Sequence, residues 1–176
     1  MRQHLVLVGL SGAGKTTVGL LVARALGMPF HDLDQRIEAS AGCRVAELFA
    51  REGEAVFRQR EQREMLAVLA GVPAVVAAGG GWAAQPGNLA AAGETVRAVY
   101  LRVSAETAAR RLAGSTDRPL LASGDLQERL TALLHAREPW YAKAECVVDA
   151  EAAPEEVAAQ VVQMAMRRPG ASRAPA

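Results

Sequence analysis

Residues 9–16 read GLSGAGKT, which satisfies the pattern G-x-x-x-x-G-K-[ST] at every specified position. Glycines let a backbone curl until its N–H groups point inward at phosphate oxygens, and a helix starting there adds its positive end. Lys15 can reach the β and γ oxygens of a nucleoside triphosphate, and the Thr16 hydroxyl can take a ligand position on magnesium. The turn leaves the acceptor open. Asp32 and Asp34 are separated by one residue, so in an extended chain both carboxylates face the same way. One can hold a magnesium-bound water and the other can accept the proton-bearing hydroxyl of an acceptor; a pair of solvated acids at a helix start is the plainer alternative.

Three further features bear on the acceptor. Arg58 and Arg137 lie in helical stretches among other charges, where an arginine usually serves a solvated face or a salt bridge. They matter for an acidic acceptor, because a guanidinium grips a carboxylate with two parallel hydrogen bonds. Gly79, Gly80 and Gly81 stand in a row, a costly choice for backbone entropy. Such a run suits close backbone approach to a ligand, or a simple strand-end turn. Arg118 sits in the loop DRPLL at 117–121. A lid that swings a positive charge over the phosphates fits it, as does a rigid proline-containing connection.

The elements that must position these groups follow from the apolar pattern. Residues 5–8 form an apolar strand, and 16–26 a helix stopped by Gly27 with Pro29 after it. The spacing predicts a strand over 29–33 and helices over 35–41, 45–50 and 54–69. The run PAVVAA at 73–78 is a second fully apolar strand, ending at the three glycines. A third strand lies within 95–103, and Ser104 caps a helix to Leu112. Residues 114–124 form a loop. A helix over 126–142 is interrupted near Pro139, 145–148 is a last strand, and Pro154 opens a last helix. Alternating apolar strands and helices make an α/β fold with a parallel sheet covered on both faces. Ligands bind at the carboxyl ends of such strands, and the phosphate turn, the two acids and the glycine run all follow strands.

Bulk properties narrow the class. The chain has 176 residues, 51% hydrophobic, with net charge +1 and mean hydropathy +0.07. That is one domain with a sizeable core and no global pull toward nucleic acid or membrane. Cys43 and Cys146 are too few for a disulfide scaffold. The start, MRQHLVLVGL, lacks the pattern of a signal peptide, and no apolar run reaches the ~20 residues that span a bilayer. A cytoplasmic location is expected. Lys15 and Lys143 are the only lysines, and one of them lies in the phosphate turn.

Taken in order, GLSGAGKT, DLD at 32–34, FRxxE at 57–61, GGG at 79–81, RPLL at 118–121 and R-x-P-x-Y at 137–141 resemble the shikimate kinase family, over residues 4–167. The resemblance implies transfer of the ATP γ-phosphoryl group to the 3-hydroxyl of shikimate, in aromatic amino-acid biosynthesis. It implies a three-layer P-loop fold, like that of nucleoside monophosphate kinases, with a five-stranded parallel sheet in the order 2-3-1-4-5. It adds a shikimate-binding segment and a lid at about 114–124. One domain over 1–167, a disordered tail over 168–176 and a monomer are expected, with ATP and shikimate as small-molecule partners, Mg2+ as cofactor, and no nucleic-acid or membrane partner. By position, Gly12, Ala13, Gly14, Lys15, Thr16 and Thr17 wrap the phosphates, with Thr16 on magnesium and Asp32 joining through water. Arg111 and Pro154 border the adenine. Asp34, Arg58, Arg137, Gly79, Gly80 and Gly81 form the shikimate site, with Arg58 and Arg137 on the carboxylate. Lys15, Asp34 and Arg118 are the catalytic set. The chain departs from the family's habits at Leu33, where Ser or Thr is common, at Ala78 and Trp82 around the glycines, and at Ala152 and Ala153 before Pro154. A gluconate or nucleotide kinase, or a non-catalytic sensor, are the competing readings. The first would need different anion contacts, and the second has no use for a lid arginine.

Overall fold

The computed structural model describes residues 3–113 and 125–166. The expected lid with Arg118 and the expected tail lie outside the described residues. Five strands form one parallel sheet: β1 (His4–Val8), β2 (Phe30–Asp32), β3 (Val75–Ala77), β4 (Val96–Arg102) and β5 (Cys146–Asp149). Their order is β2-β3-β1-β4-β5, as the resemblance implied. The helices are α1 (Lys15–Leu26), α2 (Leu33–Ala41), α3 (Val45–Leu69), α4 (Asn88–Ala91), α5 (Ala105–Leu112), α6 (Leu126–Tyr141) and α7 (Pro154–Met166).

The central strand shows why the fold has three layers. All five residues of β1 are buried, and alternate side chains enter different cores. Leu5 and Leu7 pack with Val18 and Val22 of α1 and Val157 and Val161 of α7. Val6 and Val8 pack with Met65 and Val68 of α3 and with Tyr141 of α6. Each fully buried Leu or Val contributes about 1.5–3 kcal/mol over an exposed one, so both faces of β1 hold it in register. A third, smaller cluster joins Ile37 of α2 to Val45, Leu48 and Phe57 of α3.

The structure differs from the sequence expectation where side chains redirect the backbone. The strand expected over 29–33 stops at Asp32, because Asp32 Oδ1 accepts the N–H groups of Asp34 (3.0 Å) and Gln35 (3.4 Å) and so caps α2. Leu33 becomes the first residue of that helix. Asp34 therefore lies in a helical first turn, and the extended-chain argument for two carboxylates on one side does not apply. The two helices expected over 45–50 and 54–69 form one run, broken at Gly53 with φ 79° and ψ 174°. After the glycines, where no element was expected, α4 is followed by a 3-10 turn at Gly93–Thr95. Ser104 caps α5 as expected, its Oγ accepting the Thr107 N–H at 3.1 Å. Among the described residues no helix is long and apolar enough to cross a membrane.

Candidate active site

The phosphate turn joins β1 to α1 and is wedged between backbone neighbours. Gly9 has φ 139°, and a Cβ there would stand 2.6 Å from the Leu101 carbonyl oxygen. Gly12 has φ 85°, and its Cβ would stand 2.8 Å from the Ala108 carbonyl oxygen. Both positions need a residue without a side chain on steric and conformational grounds. Lys15 Nζ donates to the carbonyls of Gly9 (2.9 Å) and Leu10 (3.0 Å), spanning the turn.

Thr16 Oγ1 donates to Asp32 Oδ2 at 2.6 Å. The hydroxyl from the start of α1 and the carboxylate from the end of β2 are thus held together, while the other Asp32 oxygen stays on its cap. Two hard oxygen donors side by side fit magnesium, which binds through one or two protein oxygens and otherwise keeps waters and phosphates. Among the described residues no cluster of three or more His, Cys, Asp or Glu side chains could hold a metal ion alone.

A cleft of about 420 Å³ opens along this edge of the sheet. It brings together every expected nucleotide residue that is described: Gly12, Ala13, Gly14, Lys15, Thr16, Thr17, Arg111 and Pro154. Asp32, Asp34, Gly79 and Gly80 line it as well. Arg111 fastens α5 to its surroundings, with Nη2 donating to the Ala150 carbonyl at 2.9 Å and Nη1 reaching the Gly12 carbonyl at 3.5 Å.

Arg58, Arg137 and Gly81 stand outside the cleft lining, around the far side of the glycine run. Arg58 Nη1 pairs with Glu61 Oε2 at 2.7 Å and Nη2 with Glu54 Oε1 at 3.0 Å. The Glu61 side chain is 1% exposed and that of Arg58 13%, which makes this a buried ion pair and not the solvated one a lone helical arginine suggests. Burial works against the Arg58 charge, but Glu61 and then Glu54 outweigh it and hold the guanidinium above its ordinary value. Burial pushes the Glu61 carboxyl up, Arg58 pulls it back down, and the Asp34 charge adds to the rise. Glu61 Oε1 makes no hydrogen bond among the described residues.

The glycines are explained by these charges. A Cβ on Gly79 would overlap Glu61 Oε1 and stand 3.4 Å from Asp34 Oδ1. A Cβ on Gly81 would overlap the Arg58 guanidinium. At Gly80 it would lie 3.3 Å from Ser11 Oγ and 3.6 Å from Arg137 Nη1. The run therefore lets two acids and two arginines close on the backbone at the end of β3. Sequence reasoning gave no role to Glu61, although its position three residues after Arg58 on a helix is an ion-pair spacing. It also missed what Trp82 does: its Nε1 donates to Gln62 Oε1 at 3.1 Å, tying the segment after the glycines to α3.

A family model described as "Shikimate kinase" matches residues 11–166. A shikimate kinase of Cereibacter sphaeroides is 38% identical over 170 residues, covering 96% of this chain and 85% of that protein. One from Mycobacterium avium is 45% identical over 145 residues, covering 82% and 81%. Among solved structures, the shikimate kinase of Acinetobacter baumannii in complex with shikimate superposes with a TM-score of 0.88 at 32% identity, covering 92% of each chain.

Proposed function

The chain belongs to the shikimate kinase family and is an ATP-dependent kinase; from that premise we propose that it transfers the γ-phosphoryl group of ATP to the 3-hydroxyl of shikimate, giving 3-phosphoshikimate and ADP. The observation that carries the reading is the junction at Gly79 and Gly80. There the cleft holding Lys15 and Thr16 meets Asp34, and beyond it stand Arg58 and Arg137. A phosphate cradle thus adjoins a carboxylate and two arginines, the set needed for a small hydroxylated acid.

Lys15 leaves the turn carbonyls for the β and γ oxygens of the bound nucleotide. Asp34 orients the acceptor hydroxyl and takes its proton as the oxygen forms its bond to phosphorus, while the bond to the β–γ bridging oxygen breaks and its electron pair leaves with ADP. Arg58 and Arg137 hold the acceptor carboxylate and so fix which hydroxyl faces the phosphate. Arg118, outside the described residues, completes the positive surround of the transferred group. Thr16 directly and Asp32 through water would hold Mg2+, which when bound neutralises phosphate charge. Catalysis of this kind is positioning and electrostatic stabilisation. A single domain over 1–167 with a lid at about 114–124, a monomeric state, a cytoplasmic location, and ATP and shikimate as the partners complete the proposal; a net charge of only +1 gives no global pull toward nucleic acid or membrane.

The test is an acceptor panel in an ADP-release assay with ATP and magnesium. Shikimate should support release, while gluconate and nucleoside monophosphates should not. Release driven by another acceptor and not by shikimate would overturn the substrate assignment.

A further inference from the structure

We infer that Tyr141 is a positioning residue for the acceptor carboxylate: its hydroxyl holds the Gly80 carbonyl at the point where the Arg137 guanidinium reaches the glycine run, so that α6 and the run present one fixed anion-binding edge. The inference rests on the reading of Arg137 as a carboxylate-binding group. Tyr141 is the last residue of α6, one turn beyond Arg137 and on the same face of the helix. It is fully buried. Its hydroxyl donates to the Gly80 carbonyl, and Arg137 Nη1 stands 3.6 Å from where a Cβ on Gly80 would lie. A phenol has one proton to donate. That proton is committed to Gly80, which leaves the lone pairs of the hydroxyl able to accept from a cation brought up to the same stretch of backbone.

The arrangement supplies what three glycines lack. Gly79 and Gly81 are walled by Glu61 and Arg58, but nothing in a run without side chains fixes the carbonyl of Gly80. The Tyr141 hydroxyl does, and the Tyr141 ring is itself braced by Tyr100 of β4, with centroids 5.2 Å apart. A guanidinium held in place before the ligand arrives loses less conformational freedom on binding. An aromatic residue that only filled the core would need the ring and not the hydroxyl. The neighbouring Tyr100 hydroxyl is such a case, since it lies buried beside Glu138 without a hydrogen bond of normal geometry.

The experiment measures KM for shikimate and for ATP in Tyr141→Phe, Arg137→Ala, the double variant and Tyr100→Phe, with melting temperatures alongside. Tyr141→Phe, which keeps the ring, should raise the shikimate KM about tenfold, the loss of one buried hydrogen bond, with the ATP KM unchanged. Arg137→Ala should raise it further, and adding Tyr141→Phe to Arg137→Ala should change nothing more. Tyr100→Phe should leave both constants alone. An unchanged shikimate KM in Tyr141→Phe, an equal rise for both substrates, an equal rise in Tyr100→Phe, or a double variant showing the full product of the two effects would each overturn the inference. If Arg137→Ala itself leaves the shikimate KM unmoved, the reading beneath the inference fails and takes it along. If Arg137→Ala acts and Tyr141→Phe does not, only the inference falls.

Discussion

At the scale of single residues, buried charge organises the proposed acceptor end. Among the described residues, Asp34 is the one carboxylate that both lines the cleft and approaches Glu61 across Gly79. Asp34→Asn keeps the size of the side chain and removes the proton acceptor. It should lower turnover by about 10²–10⁴-fold while nucleotide binding, followed by a fluorescent ADP analogue, persists; near wild-type turnover would exclude Asp34 as the base. Gly79→Ala tests the packing account. The added methyl collides with a buried carboxylate that cannot move without breaking its pair with Arg58. Urea denaturation should show a loss of about 1–3 kcal/mol, and the shikimate KM should rise more than the ATP KM. An alanine accommodated at no cost would contradict it. The sequence displayed the three glycines and both arginines, but not what the glycines avoid. That depended on Glu61 reaching β3 from α3, a contact between residues 18 positions apart that no local pattern specifies.

At the scale of elements, the site depends on where strands stop. The turn between β1 and α1 was fully legible, because glycine, lysine and threonine spacing encodes its shape. The β2–α2 junction was not: acids after a strand read equally as strand or cap, and the Asp32 side chain decides for the cap. The start of β1 carries a pH-sensitive contact. His4 is buried, and its Nδ1 accepts the Ala74 N–H at 3.2 Å, linking β1 to the residue before β3. Burial holds His4 below its ordinary 6.5, and burial with Arg36 and His4 does the same for His31. The unfolded chain then binds more protons than the folded one below that value, so stability is full above pH 6.5 and falls as pH drops through the lowered folded values. Glu61, held above its ordinary value, acts in the opposite sense. The His4 contribution is therefore read as a difference: urea midpoints should fall from pH 7.5 toward 5.5 more steeply for wild type than for His4→Gln. Parallel curves would show that His4 does not titrate on unfolding.

At the scale of the whole molecule, the phosphate turn and the glycine run share one sheet edge, and the two residues proposed to hold Mg2+ are already paired with each other. Thr16 and Asp32 satisfy one another directly, and the two large cores are apolar. Chelation with EDTA should therefore abolish turnover while circular dichroism and the nucleotide-free melting temperature stay the same; a drop in melting temperature would mean that metal is structural. The layered parallel sheet was legible where apolar strands alternate with helices long enough to show a period, while its strand order followed from the family resemblance. The short α4 and the 3-10 turn beside it were not, being too brief to show one. The central claim is that the chemistry goes to one hydroxyl of one small acid. Phosphorus NMR of a reaction containing the protein, ATP, magnesium and shikimate tests it directly. The account predicts ADP and a phosphate monoester in equal amounts, the monoester resonance coupled to the proton on carbon 3 of shikimate. Free phosphate without that ester, an ester at another hydroxyl, or unchanged ATP would contradict it.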